Sequence, residues 1–201
     1  MKILLLHALN PEARLIKRQY PQKNLLINEA GVELLELDRG FDLLRTGIGL
    51  SRTEAALQHI PEPSAYSAFL QFGVSGSLSE ALPAHTMICA QSFTALNEEE
   101  ITRSEMDISG LPDLTVVRFF SSMEVVRDET SRQVAISHGA QAVDMESYAV
   151  ARFCAQHSIP LRTVRIISDR AGASTPEEFK KNFGTATRIL QQHIIQHVLQ
   201  R

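Results

Sequence analysis

The sequence lacks several features that would each point to a particular class of protein. It contains no tryptophan, only 2 cysteines and no excess of basic residues, with a formal net charge of −3 over 201 residues. No stretch approaches the roughly 18 consecutive apolar residues of a membrane-spanning helix, and the apolar start at residues 2–6 is shorter than a signal-peptide core. We therefore expect no nucleic-acid partner, no membrane insertion and no disulfide scaffold, but a cytoplasmic protein in which Cys89 and Cys154 are buried, reduced thiols.

Sequence motifs that bind a metal or an organic cofactor are also missing. There is no phosphate-loop lysine, no HExxH, no GxSxG and no cluster of residues with metal-ligand spacing. Gly47-Ile48-Gly49 does not continue as a dinucleotide-binding GxGxxG, because Arg52 occupies the place of the third glycine. We therefore expect no bound metal and no organic cofactor.

What is present is the composition of an ordinary globular domain. The chain is 44% hydrophobic and 21% charged, and a fold of this length buries roughly 70% of its unfolded-chain surface without a metal or disulfide. We predict one domain over residues 1–201. Apolar strands alternate with amphipathic helices, which predicts an α/β fold with three layers, α/β/α, around a central mixed twisted sheet.

The periodicity predicts the individual elements as follows. Ser51 is expected to cap the second helix with Glu54 completing a capping box, and Thr175 with Glu178 to open the last helix in the same way. Residues 73–77 are predicted as a small-residue turn, and residues 97–112 as an irregular acidic loop. The predicted strands cover residues 2–6, 24–29, 32–38, 41–46, 65–72, 86–93, 114–120, 142–145 and 161–168, and the helices cover 10–20, 52–60, 128–138, 146–157 and the segment from 175 onwards.

Polar and small residues follow the predicted strands where an α/β sheet binds its ligands. They lie at residues 8–12, 46–49, 73–77, 144–146 and 168–169. Each group also has a purely structural reading. Glu12 favours a helix N-terminus through the dipole, and Asp169 is a common turn residue. Arg165, inside an apolar strand, must reach an edge, a carboxylate or an anion, because a buried unpaired cation is too costly.

The order and spacing of these groups resemble the nucleoside phosphorylase and nucleosidase superfamily. The resemblance covers nearly the whole chain. Its most specific part is Val143-Asp144-Met145-Glu146-Ser147, followed by a strand that ends in Ser168-Asp169. The sequence at residues 143–147 most resembles the hopanoid-associated phosphorylase-like branch. The resemblance implies cleavage of the N-glycosidic bond of a purine nucleoside or a 5′-modified nucleoside.

The resemblance also implies roles for individual residues. Asp169 is the expected acid at the leaving base, Glu146 the acceptor of the sugar hydroxyls, and Glu12 the group that orients water. A pair of hydroxyls needs an acceptor with two oxygens, and a raised carboxyl pKa suits an acid. The expected substrate-binding residues are Met145, Gly73, Val74, Ser75, Gly76 and Ser168, with Met123 or Val125 in place of an aromatic wall over the base.

The identity of the nucleophile stays open between water and phosphate. Gln71 and Val74 stand where the hexameric phosphorylases carry an arginine and a serine, and Glu12 also favours water. The phosphorylase-like sequence at residues 143–147 favours phosphate as a co-substrate. The candidate residues for binding it are Arg14, Arg45, Arg52 and Gly49.

Two further expectations follow from the resemblance. The family forms homodimers or higher homo-oligomers in which the neighbour closes the sugar's 5′ side, so we expect the same here. The alternatives to nucleoside hydrolysis are a phosphate-dependent purine or adenosyl-lipid nucleoside phosphorylase and a nucleoside-binding protein that has lost turnover. The shorter segment around residues 95–118 leaves the last alternative open.

Overall fold

A computed structural model describes residues 2–29, 31–102 and 113–200. The helices are α1 Arg14–Gln19, α2 Leu50–Gln58, α3 Glu129–Ser137, α4 Ser147–Gln156 and α5 Thr175–Ile194, the last continuing as a π-helical segment, Ile195–Leu199. The strands are β1 Lys2–His7, β2 Gln22–Glu29, β3 Val32–Leu37, β4 Phe41–Arg45, β5 Tyr66–Ser77, β6 Met87–Ala95, β7 Ile101–Thr102, β8 Thr115–Ser121, β9 Ala142–Asp144 and β10 Leu161–Arg170.

All of these strands join one mixed sheet. Strand β1 pairs in parallel with β4 and β5, and β5 pairs in parallel with β10. The antiparallel strands β3 and β2 extend the edge beyond β4. On the other side β10, β6, β8 and β9 lead back to β5, which closes a ring of five strands. The carboxyl ends of β1, β5 and β10 therefore meet at one place.

Two apolar layers cover the sheet because successive strand residues point to opposite faces. In β1, Leu4 and Leu6 belong to the core cluster that includes Phe153 of α4, whereas Leu5 belongs to the cluster that includes Leu190 of α5. The predicted three-layer α/β fold with a central mixed sheet is thus confirmed. Cys89 and Cys154 are free and buried, as expected.

Several local predictions were wrong, for identifiable physical reasons. Residues 73–77 continue β5 instead of turning, because β10 pairs with them along their whole length. Helix α2 begins one residue before Ser51, with Gly49 at the N-cap at φ 100°. Glu54 forms an ion pair with Arg152 of α4 instead of a capping box.

The start of α5 also differs in detail. Its N-cap is Ser174 and makes no side-chain cap hydrogen bond, although Pro176 lies in the first turn as expected. The Thr175 hydroxyl instead accepts a hydrogen bond from the Gly172 N–H. Glu178 accepts one from the Arg170 N–H, which ties the start of α5 to the end of β10.

The predicted acidic loop over residues 97–112 is described only in part. Ile101–Thr102 forms the short strand β7, which pairs with Ser92 and Phe93 of β6. Residues 103–112 lie outside the described residues. Among the helices that are described, none is long and apolar enough to cross a membrane.

Candidate active site

A cavity of about 360 Å³ lies where β1, β5 and β10 end. Strand β9 runs antiparallel beside Gly76 and Ser77, which brings the residues after it to the same cavity. The opening segment of α5 and the segment after β8 complete the wall. The lining residues are 8, 9, 12, 48, 74–76, 124–127, 143–146, 165, 168, 169, 171, 175, 176 and 179.

Glu12 is held in this cavity by backbone N–H groups. It lies in a short 3-10 turn after β1 and is only 2% exposed. Its Oε2 accepts hydrogen bonds from the N–H of Leu9 at 2.8 Å and of Ala8 at 3.1 Å, and its Oε1 accepts one from the N–H of Val74 at 3.1 Å. Burial raises the pKa of Glu12, while these donors and the nearby Arg165 act to lower it. The carboxyl group is therefore fixed in orientation and poised to exchange a proton.

Arg165 and Asp144 form a fully buried ion pair beside Glu12. Arg165 is 1% exposed, and its Nη2 lies 2.6 Å from Asp144 Oδ2. The same nitrogen donates to the Ser147 hydroxyl at 2.9 Å. Asp144 Oδ1 accepts from the Ser121 hydroxyl at 2.7 Å. The expectation that a cation in this apolar strand needs a charged partner is thus met by a carboxylate.

Gly73 makes the close approach of Glu12 and Arg165 possible. A Cβ atom at this position would lie 2.5 Å from Arg165 Nη1 and 2.7 Å from Glu12 Oε1. Both distances are well below van der Waals contact, so a larger residue would have to push the two charged groups away. Gly73 therefore shapes the site from behind the cavity wall.

Glu146 is the N-cap residue of α4 and is 6% exposed. Its Oε1 accepts a hydrogen bond of 2.9 Å from the N–H of Gly49. Burial, followed by the like charge of Asp144, raises the pKa of Glu146 to about 7, and Arg165 opposes the shift. The group consequently changes its charge close to neutral pH.

Asp169 lies near the end of β10 and is 5% exposed. The Ser168 hydroxyl donates to its Oδ2 at 2.6 Å. Burial raises the pKa of Asp169, which the hydroxyl donors of Ser168 and Thr175 partly offset. A carboxyl group in this setting can hold a proton and deliver it to a bound base.

Comparison with known proteins finds similar sequences and similar folds. A family model described as the phosphorylase superfamily matches residues 112–200. A futalosine hydrolase of Streptomyces coelicolor is 24% identical over 200 aligned positions, covering 86% of this chain and 85% of that protein. The solved structure of futalosine hydrolase from Helicobacter pylori has a TM-score of 0.89 at 18% identity and covers 100% of this chain and 98% of that one. The C-terminal part of the chain, residues 112–200, is thus similar in sequence to the phosphorylase superfamily.

A second solved structure has a similar fold. It is a 5′-methylthioadenosine/S-adenosylhomocysteine nucleosidase of Helicobacter pylori, complexed with a pyrrolidinol that carries an amino-pyrrolopyrimidine. The TM-score is 0.87 at 18% identity, and the match covers 100% of this chain and 99% of that one. The resemblance inferred from the sequence is thereby confirmed for the superfamily, while the hopanoid-associated branch stays a prediction.

Most of the site residues expected from the superfamily resemblance come together around the cavity. Their chemical roles remain predictions. The residues that line the cavity are Glu12, Val74, Ser75, Gly76, Val125, Met145, Glu146, Ser168 and Asp169. Ser75 is buried, and its hydroxyl has no hydrogen-bond partner among the described residues, so it is available to a ligand.

Other expected residues lie elsewhere. Met123 is 70% exposed and does not line the cavity. None of the arginines proposed for phosphate lines it either: Arg14 and Arg52 are exposed, and Arg45 ends β4 in register with His7. Gly49 donates its N–H to Glu146 instead of facing an anion.

Sequence reasoning gave no role in the site to Asp144, Arg165 or Phe179, although all three line the cavity. Asp144 and Arg165 form its buried ion pair, and Phe179 of α5 supplies an aromatic side chain to the wall. The isolated cation in an apolar strand was the signal for Arg165. Phe179 had the helical spacing of a core residue, and only the entry of α5 beside Asp169 brings it to the cavity.

Among the residues that the structure describes, no group of three or more histidine, cysteine, aspartate or glutamate side chains could hold a metal ion. The absence of a cofactor stays a prediction.

Proposed function

We propose that this protein hydrolyses the N-glycosidic bond of a purine nucleoside or a 5′-modified nucleoside. The relatives named above are nucleosidases by name, futalosine hydrolase and methylthioadenosine/S-adenosylhomocysteine nucleosidase. The proposal rests on one observation in particular. The carboxyl groups of Glu12, Glu146 and Asp169 line one cavity in three different environments.

Asp169 acts in this proposal as the acid at the leaving base. When the glycosidic bond breaks, the base departs with negative charge on its ring, and a proton supplied to a ring nitrogen lowers the barrier. Burial raises the pKa of Asp169, so a larger fraction of the group carries that proton near neutral pH. The hydroxyl of Ser168 fixes the carboxyl orientation.

Glu146 and Glu12 act on the sugar side. The ionised carboxylate of Glu146 offers two oxygens to a pair of vicinal hydroxyls. Glu12, fixed by its three N–H donors, orients a water molecule for attack on C1′ and accepts its proton. The free hydroxyl of Ser75 lies on the same wall as a further donor.

The charge balance of the site suits a cationic sugar. Arg165 faces the carboxyl groups of Glu12, Asp144 and Glu146, so three buried acidic groups share one guanidinium at this wall of the cavity. As the bond breaks, the ribose ring becomes an oxocarbenium-like cation. A preorganised negative environment favours this state over the neutral substrate.

The position of Glu12 favours water over phosphate as the nucleophile. The N–H groups of Leu9 and Val74 are the donors that an anion would need, and the Glu12 carboxyl already occupies them. A phosphate in the same place would meet carboxylate oxygens instead of donors. Arg165, the cation that acts on Glu12, is paired with Asp144.

The product of the reaction tests this proposal directly. The pure protein is incubated with adenosine, inosine, methylthioadenosine, 5′-deoxyadenosine or futalosine, with and without phosphate, and the free base and sugar are measured by chromatography. We expect free base and free sugar at the same rate in both conditions. Release only with phosphate, together with a sugar 1-phosphate, would establish a phosphorylase; no release from any substrate would contradict the proposal.

The remaining expectations extend the same proposal. The ligand is a small nucleoside, no cofactor takes part, the enzyme works in the cytoplasm, and it assembles as a homodimer or a higher homo-oligomer. Light scattering at working concentration tests the assembly, and a monomer would contradict it.

A further inference from the structure

The Asp144–Arg165 pair is the point at which the two sugar-side carboxyl groups of the site, Glu12 and Glu146, are coupled. Arg165 acts electrostatically on both Glu12 and Glu146, and Asp144 acts on Glu146. The position of the pair therefore sets the charge state of the groups that face the sugar. The groups that fix the Asp144–Arg165 pair include one that lies behind the cavity wall.

Ser121, the last residue of β8, is the group that fixes Asp144 from behind. Its hydroxyl donates to Asp144 Oδ1 at 2.7 Å and accepts the N–H of Tyr148 in the first turn of α4 at 2.9 Å. Ser121 is fully buried and does not line the cavity. One hydroxyl thus connects three elements: β8, the end of β9 and the start of α4.

Ser147 completes the support on the other oxygen. Its hydroxyl hydrogen-bonds Asp144 Oδ2, and Arg165 Nη2 donates to it at 2.9 Å. The N–H groups of Glu146 and Ser147 also donate to Asp144 Oδ1, at 3.3 and 3.2 Å. Both oxygens of Asp144 are therefore fully occupied, which leaves the carboxylate one orientation.

We propose that Ser121 is a positioning residue which, through Asp144, holds Arg165 between the carboxyl groups of Glu12 and Glu146. This assignment deepens the proposed nucleoside hydrolysis, since those carboxyl groups are the sugar-side groups of that reaction. Hydrogen bonds to ionised groups are stronger than neutral ones, and a buried donor left without an acceptor is costly. Removal of the Ser121 hydroxyl takes away a hydrogen bond to the Asp144 carboxylate. It also leaves the buried N–H of Tyr148 without its acceptor.

The test measures the charge state of Glu146 without requiring turnover. Glutamate side chains are isotopically labelled, and the carboxyl signal of Glu146, assigned by its loss in Glu146→Gln, is titrated by NMR. The charged groups facing Glu146 are Asp144 of β9, Arg165 of β10 and Glu12, with the N–H of Gly49 before α2. In Ser121→Ala, Asp144 no longer fixes Arg165 beside Glu146. The titration midpoint of the Glu146 carboxyl group therefore moves above its wild-type value by about half a pH unit or more.

Two further variants separate positioning from folding. Ser121→Thr keeps the hydroxyl and restores the midpoint. Ser92→Ala removes a buried serine hydroxyl from the neighbouring β6, where it has no hydrogen-bond partner among the described residues, and leaves the midpoint unchanged. Ser147→Ala acts on the other oxygen of Asp144 and shifts the midpoint in the same direction as Ser121→Ala.

Kinetics supply the second readout. For Ser121→Ala, we expect kcat/KM for a riboside to fall about 10-fold or more and its acidic limb to move to higher pH, with affinity for the free base unchanged. An unshifted Glu146 midpoint in both Ser121→Ala and Ser147→Ala overturns the assignment. A shifted midpoint in a protein that releases no base supports the assignment and contradicts the proposed function instead.

Discussion

The carboxyl group of Asp169 gives the simplest test at the scale of single residues. Asp169→Asn keeps the shape of the side chain and removes the proton that the leaving base receives. We expect turnover to fall by about 100-fold or more, with nucleoside binding measured by calorimetry nearly unchanged. Asp38→Asn, an exposed aspartate in the turn between β3 and β4, is the matched control and keeps wild-type rates. Full activity in Asp169→Asn would show that the acid is another group.

Glu146 is expected to discriminate ribosides from free bases. Glu146→Gln loses the second acceptor oxygen for the sugar hydroxyls, so riboside affinity falls while adenine or hypoxanthine affinity does not. Because the pKa of Glu146 is raised to about 7, wild-type riboside affinity also rises as pH is raised through that value. Calorimetric titrations at several pH values check both statements. A riboside affinity independent of pH in the wild type would exclude ionised Glu146 as the acceptor.

The raised pKa of Glu146 also predicts how stability depends on pH. Stability falls over the same pH range in which riboside affinity rises. The folded protein holds the Glu146 proton up to about pH 7, whereas the unfolded chain releases it near 4.5. The contribution of Glu146 to stability is therefore complete below pH 4.5 and is lost as pH rises through 7. Glu146→Gln should raise the free energy of unfolding above neutral pH by on the order of 2 kcal/mol, with little difference at low pH. Urea unfolding at about pH 5 and about pH 9 measures the difference, and a variant less stable than wild type at the higher pH would contradict it.

At the scale of secondary-structure elements, the central strand β5 places the nucleophile side of the site. Gly73→Ala puts a Cβ atom 2.5 Å from Arg165 Nη1 and 2.7 Å from Glu12 Oε1, both buried and held by hydrogen bonds. We expect it to lower the free energy of unfolding by about 1–3 kcal/mol and to reduce activity more than stability alone explains.

The control for Gly73 lies on α5. A Cβ atom at the exposed helical residue Gly184 meets nothing within 4 Å, so Gly184→Ala should stabilise the protein by about 0.5–1 kcal/mol and leave turnover unchanged. Urea unfolding and rate measurements on both variants make the comparison. Equal effects of the two substitutions would show that the crowding at Gly73 is unimportant.

At the scale of the whole molecule, the closed ring of strands predicts one cooperative unit. Strand β5 pairs with β1, β9 and β10, so the N-terminal half and the C-terminal half share the same central strand. We expect unfolding by urea to give coincident transitions for far-ultraviolet circular dichroism and tyrosine fluorescence. The reporters Tyr20, Tyr66 and Tyr148 are buried in different parts of the fold. Two separated transitions would contradict the predicted single domain.

Much of the fold follows from local patterns. The continuous apolar run in β1 is typical of a strand buried on both faces, and Asp128 caps α3 by accepting a 2.8 Å hydrogen bond from the Ser131 N–H. Errors arose where a distant partner decided the structure. Small residues at 73–77 favour a turn locally, but pairing with β10 keeps them extended. Ser51 is a good capping residue, yet the N-cap is Gly49, two residues earlier, which donates its N–H to Glu146, 97 residues away.

By itself, the sequence determined the layered α/β fold, the resemblance to the phosphorylase superfamily and several of the residues that line the cavity at the ends of β1, β5 and β10. Those conclusions depend on periodicity and on short motifs, which are local properties of the chain. Only the tertiary structure decided the charge state of the site. Burial, the Asp144–Arg165 pair and the N–H donors of three separate segments set the pKa values of Glu12 and Glu146. Electrostatic interactions depend on distance and dielectric surroundings, and both are fixed only when remote parts of the chain pack together.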